Sequence, residues 1–175
     1  MKRPAWAEAT DLLRHYYDTE WGLPVTDAAG VYERIVLEGF QSGLSWAPIL
    51  RKRPAFRDAF AGFDPDVVAR FDETDVARLL GDAGIVRNRR KIEAAITNAR
   101  AAVALRETGV DLAELVWSFR PDDPTEESDA GPDRPSQSAA SRALASALKK
   151  AGFVFVGPVT AYALMEAIGI LEHRA

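Results

Sequence analysis

From Asp11 to Ile168 apolar residues recur at helical spacing, and no period-two run of useful length interrupts them. A chain patterned this way must bury its apolar stripes helix against helix, so the sequence predicts an all-α fold. The spacing places helices over residues 11–17, 28–41, 46–52, 65–71, 75–81, 88–107, 111–119, 138–151 and 159–168. Thr26 with Asp27, Ser45 and Thr74 stand where N-caps are needed. Phe153-Val154-Phe155-Val156 is the one short apolar run that could be extended. With Gly157-Pro158 behind it, it is expected as a buried connector.

A length of 175 residues suits a single domain, a compact helical bundle of two lobes sharing a core. Zero cysteines exclude disulfides, thiolate nucleophiles and cysteine-held metals, and His15 and His173 alone cannot build a histidine-rich site. Any remaining metal site would need carboxylates or backbone carbonyls, and no metal and no cofactor are expected. No segment is apolar enough to span a bilayer, and Met1-Lys2-Arg3-Pro4-Ala5-Trp6 lacks the apolar core of a signal peptide, so a cytoplasmic protein is expected. The net charge of −4 does not by itself suggest nucleic acid. Its distribution says more: Arg51, Lys52, Arg53 and Arg57 cluster, as do Arg87, Arg89, Arg90 and Lys91. Much acid is confined to a stretch at about 120–136 that reads as a mobile loop.

Three constellations could carry chemistry. The first is Glu38-Gly39-Phe40-Gln41-Ser42-Gly43-Leu44-Ser45-Trp46, which puts a carboxylate on the border of an apolar helical stripe. It breaks the helix at glycine and restarts it with leucine and tryptophan. An acid and a large aromatic at the two ends of such a corner suit a pocket for a flat polar ring. A solvated Glu38 and a core Trp46 would fit the same pattern. The second is the helix-hairpin-helix arrangement at about 75–107, where Leu79-Leu80-Gly81-Asp82-Ala83-Gly84-Ile85-Val86-Arg87 joins two helices. Amides at such a turn can hold a DNA phosphate without reading sequence, with Gly84, Arg87, Arg89, Arg90 and Lys91 as candidate backbone contacts; a plain helical turn fits too. The third is the early run of aromatics, Trp6, Tyr16, Tyr17, Trp21 and Trp46, at polar or helix-end positions better suited to stacking a planar ligand than to filling a core.

Taken together, Tyr16, Asp18, Glu20-Trp21-Gly22, Pro24, Leu37-Glu38-Gly39, Gln41 and Gly43-Leu44-Ser45-Trp46 resemble the DNA-3-methyladenine glycosylase I family. The likeness continues through Phe63-Asp64-Pro65, Asp82-Ala83-Gly84-Ile85, Lys91-Ile92, Asn98-Ala99-Arg100, Val116-Trp117-Ser118-Phe119, Leu148-Lys149-Lys150, Gly152-Phe153 and Phe155-Val156-Gly157, in order along most of the chain. The resemblance implies a helix-hairpin-helix glycosylase that removes 3-methyladenine from alkylated double-stranded DNA and releases the free base. By resemblance Tyr16 and Trp46 sandwich the extruded base, Glu38 accepts hydrogen bonds from its edge, Leu44 is the wedge in the duplex, and Trp21 and Trp6 support the wall. An N3-alkylated adenine is a cation and already a good leaving group, so stacking, a carboxylate and one water suffice. Glu38 is the catalytic candidate, with Asp18 and Glu20 as alternative activators of the water. No lysine suggests a lyase step, so a monofunctional, monomeric enzyme is expected.

Two departures stand out. Well-known family members hold a structural zinc near their termini with two cysteines and two histidines. At the matching N-terminal positions this chain has Pro4 and Tyr17, near the C-terminus only His173 remains, and His15 is two residues off the pattern. No zinc is expected, with Pro4 and Tyr17 packing where it would sit. Leu13 stands where members often carry tyrosine, which would widen the pocket. Two alternatives remain at this point: a helix-hairpin-helix DNA-binding or damage-sensing protein without catalysis, and a glycosylase with a shifted range of alkyl adducts.

Overall fold

A computed structural model describes residues 3–124 and 135–174, and every regular element among them is helical. In chain order they are α1 (Ala5–Glu8), α2 (Asp11–Thr19), α3 (Ala28–Gln41), α4 (Trp46–Ala59), a 3₁₀ turn (Ala61–Phe63), α5 (Pro65–Val68), α6 (Glu73–Leu80), α7 (Arg89–Glu107), α8 (Leu112–Trp117), α9 (Ala139–Lys150) and α10 (Pro158–Ala167). Most of the expected acidic loop, residues 125–134, lies outside the described residues.

The axis of the fold is α3. Its sequence buries Val31, Tyr32, Ile35, Val36, Leu37, Glu38 and Phe40, and it packs against α4, α7, α8 and α10. A helix hydrophobic over so much of its circumference has to sit in the middle of a bundle. The Tyr32 hydroxyl donates to the Ala95 carbonyl of α7 at 2.8 Å, which lets the ring be buried without an unpaired polar tip. A separate small cluster of Leu13, Tyr16 and Leu50, with Trp21, Trp46 and Ala47 against it, joins α2 to α4.

Several expected boundaries shift. α2 continues to Thr19, and α1 was not anticipated. α4 runs beyond Lys52 to Ala59 with Pro54 inside it: Phe56 and Ala59 bury on the far side, and that packing outweighs the lost backbone bond at proline. α5 ends at Val68, short of Phe71. The cap of α6 is Asp72, not Thr74; Asp72 accepts from the amides of Thr74 and Asp75, and Asp75 reaches back to the Asp72 amide at 3.1 Å. Ser45 precedes α4 in cap position without a side-chain cap bond. The 153–156 connector is only half buried: Phe153 and Val156 point inward, while Val154 and Phe155 are about two-fifths exposed at 40% and 39%. Asn98 on α7 pairs with both the amide and the carbonyl of Val154, at 2.8 and 3.0 Å, and so takes the place of a strand partner.

Candidate active site

The corner between α3 and α4 is built by three devices, two local and one long-range. Gly43 adopts φ 78°, a left-handed conformation that side chains resist, and this reverses the chain after α3. Gln41 then closes the turn, with its amide donating to the Leu44 carbonyl at 2.7 Å and its own carbonyl accepting from the Leu44 amide. Lys91, arriving from the start of α7, donates to the carbonyls of Phe40 at 2.9 Å and Ser42 at 2.7 Å. These are groups that a helix C-terminus leaves unpaired, and an ammonium answers both their hydrogen bonding and their partial negative charge. The Lys91 ammonium is thus turned inward to the corner. Two of its three donors are directed at these carbonyls.

On the inner side of this corner lies a cavity of about 460 Å³, within the range of small-molecule sites of about 300–1,000 Å³. Aromatic walls come from Trp6, Tyr16, Trp21 and Trp46, and Glu38 and Glu166 supply the charged side chains of the lining. Glu38, Tyr16, Trp46, Trp21 and Trp6 are therefore brought together around one space. Leu44 sits outside it on the corner and is 44% exposed, a large apolar side chain facing solvent. Leu13 also lines the cavity, packed beside Tyr16 and Leu50.

The aromatic geometry departs from a sandwich. The Tyr16 and Trp46 rings have centroids 5.7 Å apart and are inclined by 49°. A ring stacked on both faces needs plates about 7 Å apart, twice the ordinary contact of about 3.5 Å. The two rings are instead adjacent walls meeting at an angle, so a flat guest would lie on one and abut the other. The buried indole N–H of Trp46 has no hydrogen-bond partner, an uncompensated donor on a cavity wall. Behind this wall Tyr17 stacks on Trp21 at 5.3 Å, and Trp6 meets both edge-on at 5.7 and 5.5 Å.

Burial raises the Glu38 carboxyl to about 8, with the Glu166 charge adding to the rise and Arg34 opposing it. Burial, and then the nearness of Glu38, likewise raises the Tyr16 hydroxyl. The other acids weighed from the sequence are committed elsewhere. Asp18 is gripped by Arg3 through two bonds at 2.8 and 2.9 Å, which holds its carboxyl below the usual range. Burial pushes Glu20 up, but two bonds from Arg53 at 2.6 Å outweigh it and leave that carboxyl low. Neither lines the cavity.

A turn over residues 81–88 joins α6 to α7. Gly84 is required there by packing: a Cβ would stand 2.9 Å from that of Ala55 on α4. Its amide donates to Asp82 Oδ1 at 2.8 Å. Arg89 lies between Glu73 at 2.9 Å and Glu93 at 3.2 Å, and the Arg90 guanidinium lies over the Phe155 ring at 5.6 Å.

The zinc implied by the family resemblance does not fit the residues present. Among the described residues no group of three or more His, Cys, Asp or Glu could hold a metal ion. Tyr17 is buried against Trp21, and the Arg174 guanidinium lies over the Tyr17 ring, 5.7 Å from its centroid, while donating to the carbonyls of Asp18 and Trp21. The remaining histidine, His173, is buried with Nδ1 2.7 Å from Glu166. A cation and stacked rings join the two termini in place of a donor set.

Comparison with known proteins agrees with this geometry. A family model described as methyladenine glycosylase matches residues 6–175. DNA-3-methyladenine glycosylase 1 of Escherichia coli strain K12 is 44% identical over 175 residues, covering 99% of this chain and 94% of the relative. A crystal structure of 3-methyladenine DNA glycosylase I superposes with a TM-score of 0.91 at 44% identity, covering 97% of this chain and 93% of that one. A second, a tyrosine-to-phenylalanine variant of 3-methyladenine DNA glycosylase I in complex with 3-methyladenine, gives 0.88 at 30% identity and covers 97% and 92%. Sequence reasoning missed Glu166 and the corner role of Lys91. The signal for Glu166 was available: it is the lone acid on the strongly apolar α10.

Proposed function

The chain belongs to the methyladenine glycosylase family, and from that premise we propose that it hydrolyses the N-glycosidic bond of 3-methyladenine in alkylated double-stranded DNA, as a monofunctional enzyme. The observation that carries the reading is Glu38, a carboxyl buried in an aromatic cavity with no cation paired to it there. Such a group is costly for stability and is explained by a guest that brings positive charge. One solved relative is described as binding 3-methyladenine, the guest this cavity suits.

Leu44, exposed at the corner, enters the duplex as the target base swings out. The cationic base lies against Trp46 or Tyr16, whose ring faces attract it, and Glu38 meets its polar edge. Water then adds to the sugar C1′ as the C1′–N9 bond breaks. The bonding pair leaves with N9 and neutralises the base, and the water loses a proton to solvent. The base needs no protonation, so the chief demands are extrusion, orientation and a place for one water. Among the described residues no lysine lines the cavity, consistent with hydrolysis without a Schiff base. Arg87, Arg90 and the α6–α7 turn around Gly84 form the phosphate-facing side, with Arg89 released from its carboxylates on contact. The test is base release from methylated duplex DNA with products separated by chromatography. Free 3-methyladenine without strand cleavage is expected. Protein that binds the duplex and releases no base would overturn the catalytic reading in favour of a damage-binding protein.

A further inference from the structure

Glu166 has no part in the reaction as described, yet its side chain lines the same cavity as Glu38. It sits near the end of α10, one turn beyond Ala163, whose methyl also lines the cavity and leaves room beside the carboxylate. α10 packs directly on α3, so the two acids are carried by neighbouring helices of the core. His173 returns to α10 after the Gly169 turn, is itself fully buried, and pairs through Nδ1 with Glu166 Oε1 at 2.7 Å. A carboxylate fixed by a buried imidazole has few rotamers left, and that is how a recognition group is oriented. Among the described residues no lysine or arginine lines the cavity beside the two acids. Arg34, on α3, is engaged by Glu20 and Glu33.

We propose that Glu166, oriented by His173, is a second recognition residue of the base pocket, selecting positively charged N-alkylated purines over neutral ones. This rests on the reading of the cavity as a base pocket. Glu38 and Glu166 divide the work: Glu38 meets the polar edge of the base, and Glu166 supplies negative charge to a ring that is cationic only while the glycosidic bond is intact. When the bond breaks the base becomes neutral and that attraction ends, so the same residue that favours entry of damaged nucleotide favours exit of product. An undamaged, neutral adenine gains nothing from it.

The test compares two probes of nearly equal shape, neutral 3-methyladenine and the permanently cationic 3,9-dimethyladeninium, titrated by quenching of tryptophan fluorescence. Wild-type protein is expected to bind the cation more tightly. Glu166→Gln keeps an acceptor for His173 and is expected to lower cation affinity about tenfold while changing neutral-base affinity less than about twofold, the signature of a lost charge. Equal loss for both probes, or no loss for either, overturns the proposal. So does wild-type protein that binds both equally, whatever the variant does. Base release from methylated duplex by the same wild-type preparation separates the two readings. Cation selectivity without release would overturn the glycosylase assignment and leave the role of Glu166 standing.

Discussion

The α3–α4 corner and the α6–α7 hairpin are both reversals between helices, and they treat their polar groups in opposite ways. At the hairpin, charges and amides find partners within the turn and its two flanking helices: Gly84 with Asp82, Arg89 with Glu73 and Glu93, Asp72 with Asp75. At the corner, the backbone is fully tied by Gln41 and Lys91, but the side chains facing the cavity are left wanting. Glu38 is buried without a cation and the Trp46 indole N–H has no acceptor. A surface whose groups are satisfied can exchange partners for phosphates with little reorganisation. A cavity whose groups are not satisfied is preorganised for something that is absent until the substrate arrives.

If that contrast is right, substitutions should separate the two regions sharply. The largest effect belongs to the cavity. Trp46→Ala or Glu38→Gln is expected to lower kcat/KM for base release by about a hundredfold or more, with duplex affinity at low salt nearly unchanged. Single-turnover kinetics beside a binding titration will show whether the two quantities part company.

Next comes the cost of keeping Glu38 buried. Its carboxyl is raised in the folded chain from 4.5 to about 8, so the folded state holds a proton that the unfolded chain has released across that interval. Its contribution is therefore most favourable below 4.5, is lost as pH rises, and levels off above about 8. Glu38→Gln escapes the loss and should be more stable than wild type by about 3–5 kcal/mol above pH 8, with the gap closing at about pH 4.5. Thermal denaturation at a series of pH values measures it. A gap that did not change with pH would break the contrast.

Lys91→Met probes the backbone side of the corner. Two carbonyls would lose their donor, at about 1–3 kcal/mol of stability, and base release should fall because the Glu38–Trp46 geometry loosens. The smallest effect is expected at the hairpin. Arg89→Ala should leave release from saturating duplex unchanged and reduce the salt dependence of binding by about one ion or less.

What could be read from the sequence follows the reach of each interaction. The α3 stripe, the break at Gly43, the cap at Asp27 and the turn at Gly84 are local, and their spacing exposes them. The pocket residues Tyr16, Glu38 and Trp46 were legible through resemblance more than through pattern, since each alone also suits a core. What escaped was long-range. Lys91 meets partners 49 and 51 residues away, Asn98 holds a segment 56 residues on, and Arg53 reaches Glu20 across 33. No periodicity encodes such pairings. The continuation of α4 through Pro54 was missed for the related reason that burial of Phe56, visible only in the fold, outweighs local propensity. The inclination of Tyr16 to Trp46 is likewise a property of how α2 meets α4.

The most direct test of the account is the ionisation of Glu38 itself, followed by carbon-13 NMR of the labelled carboxyl in the folded protein. The account predicts a midpoint near 8, falling when the cationic 3,9-dimethyladeninium probe is added, because the cation takes the place of the proton. A midpoint near 4.5 that the cationic probe does not move would mean the carboxyl is already satisfied, and the corner would lose its claim to be the site of chemistry.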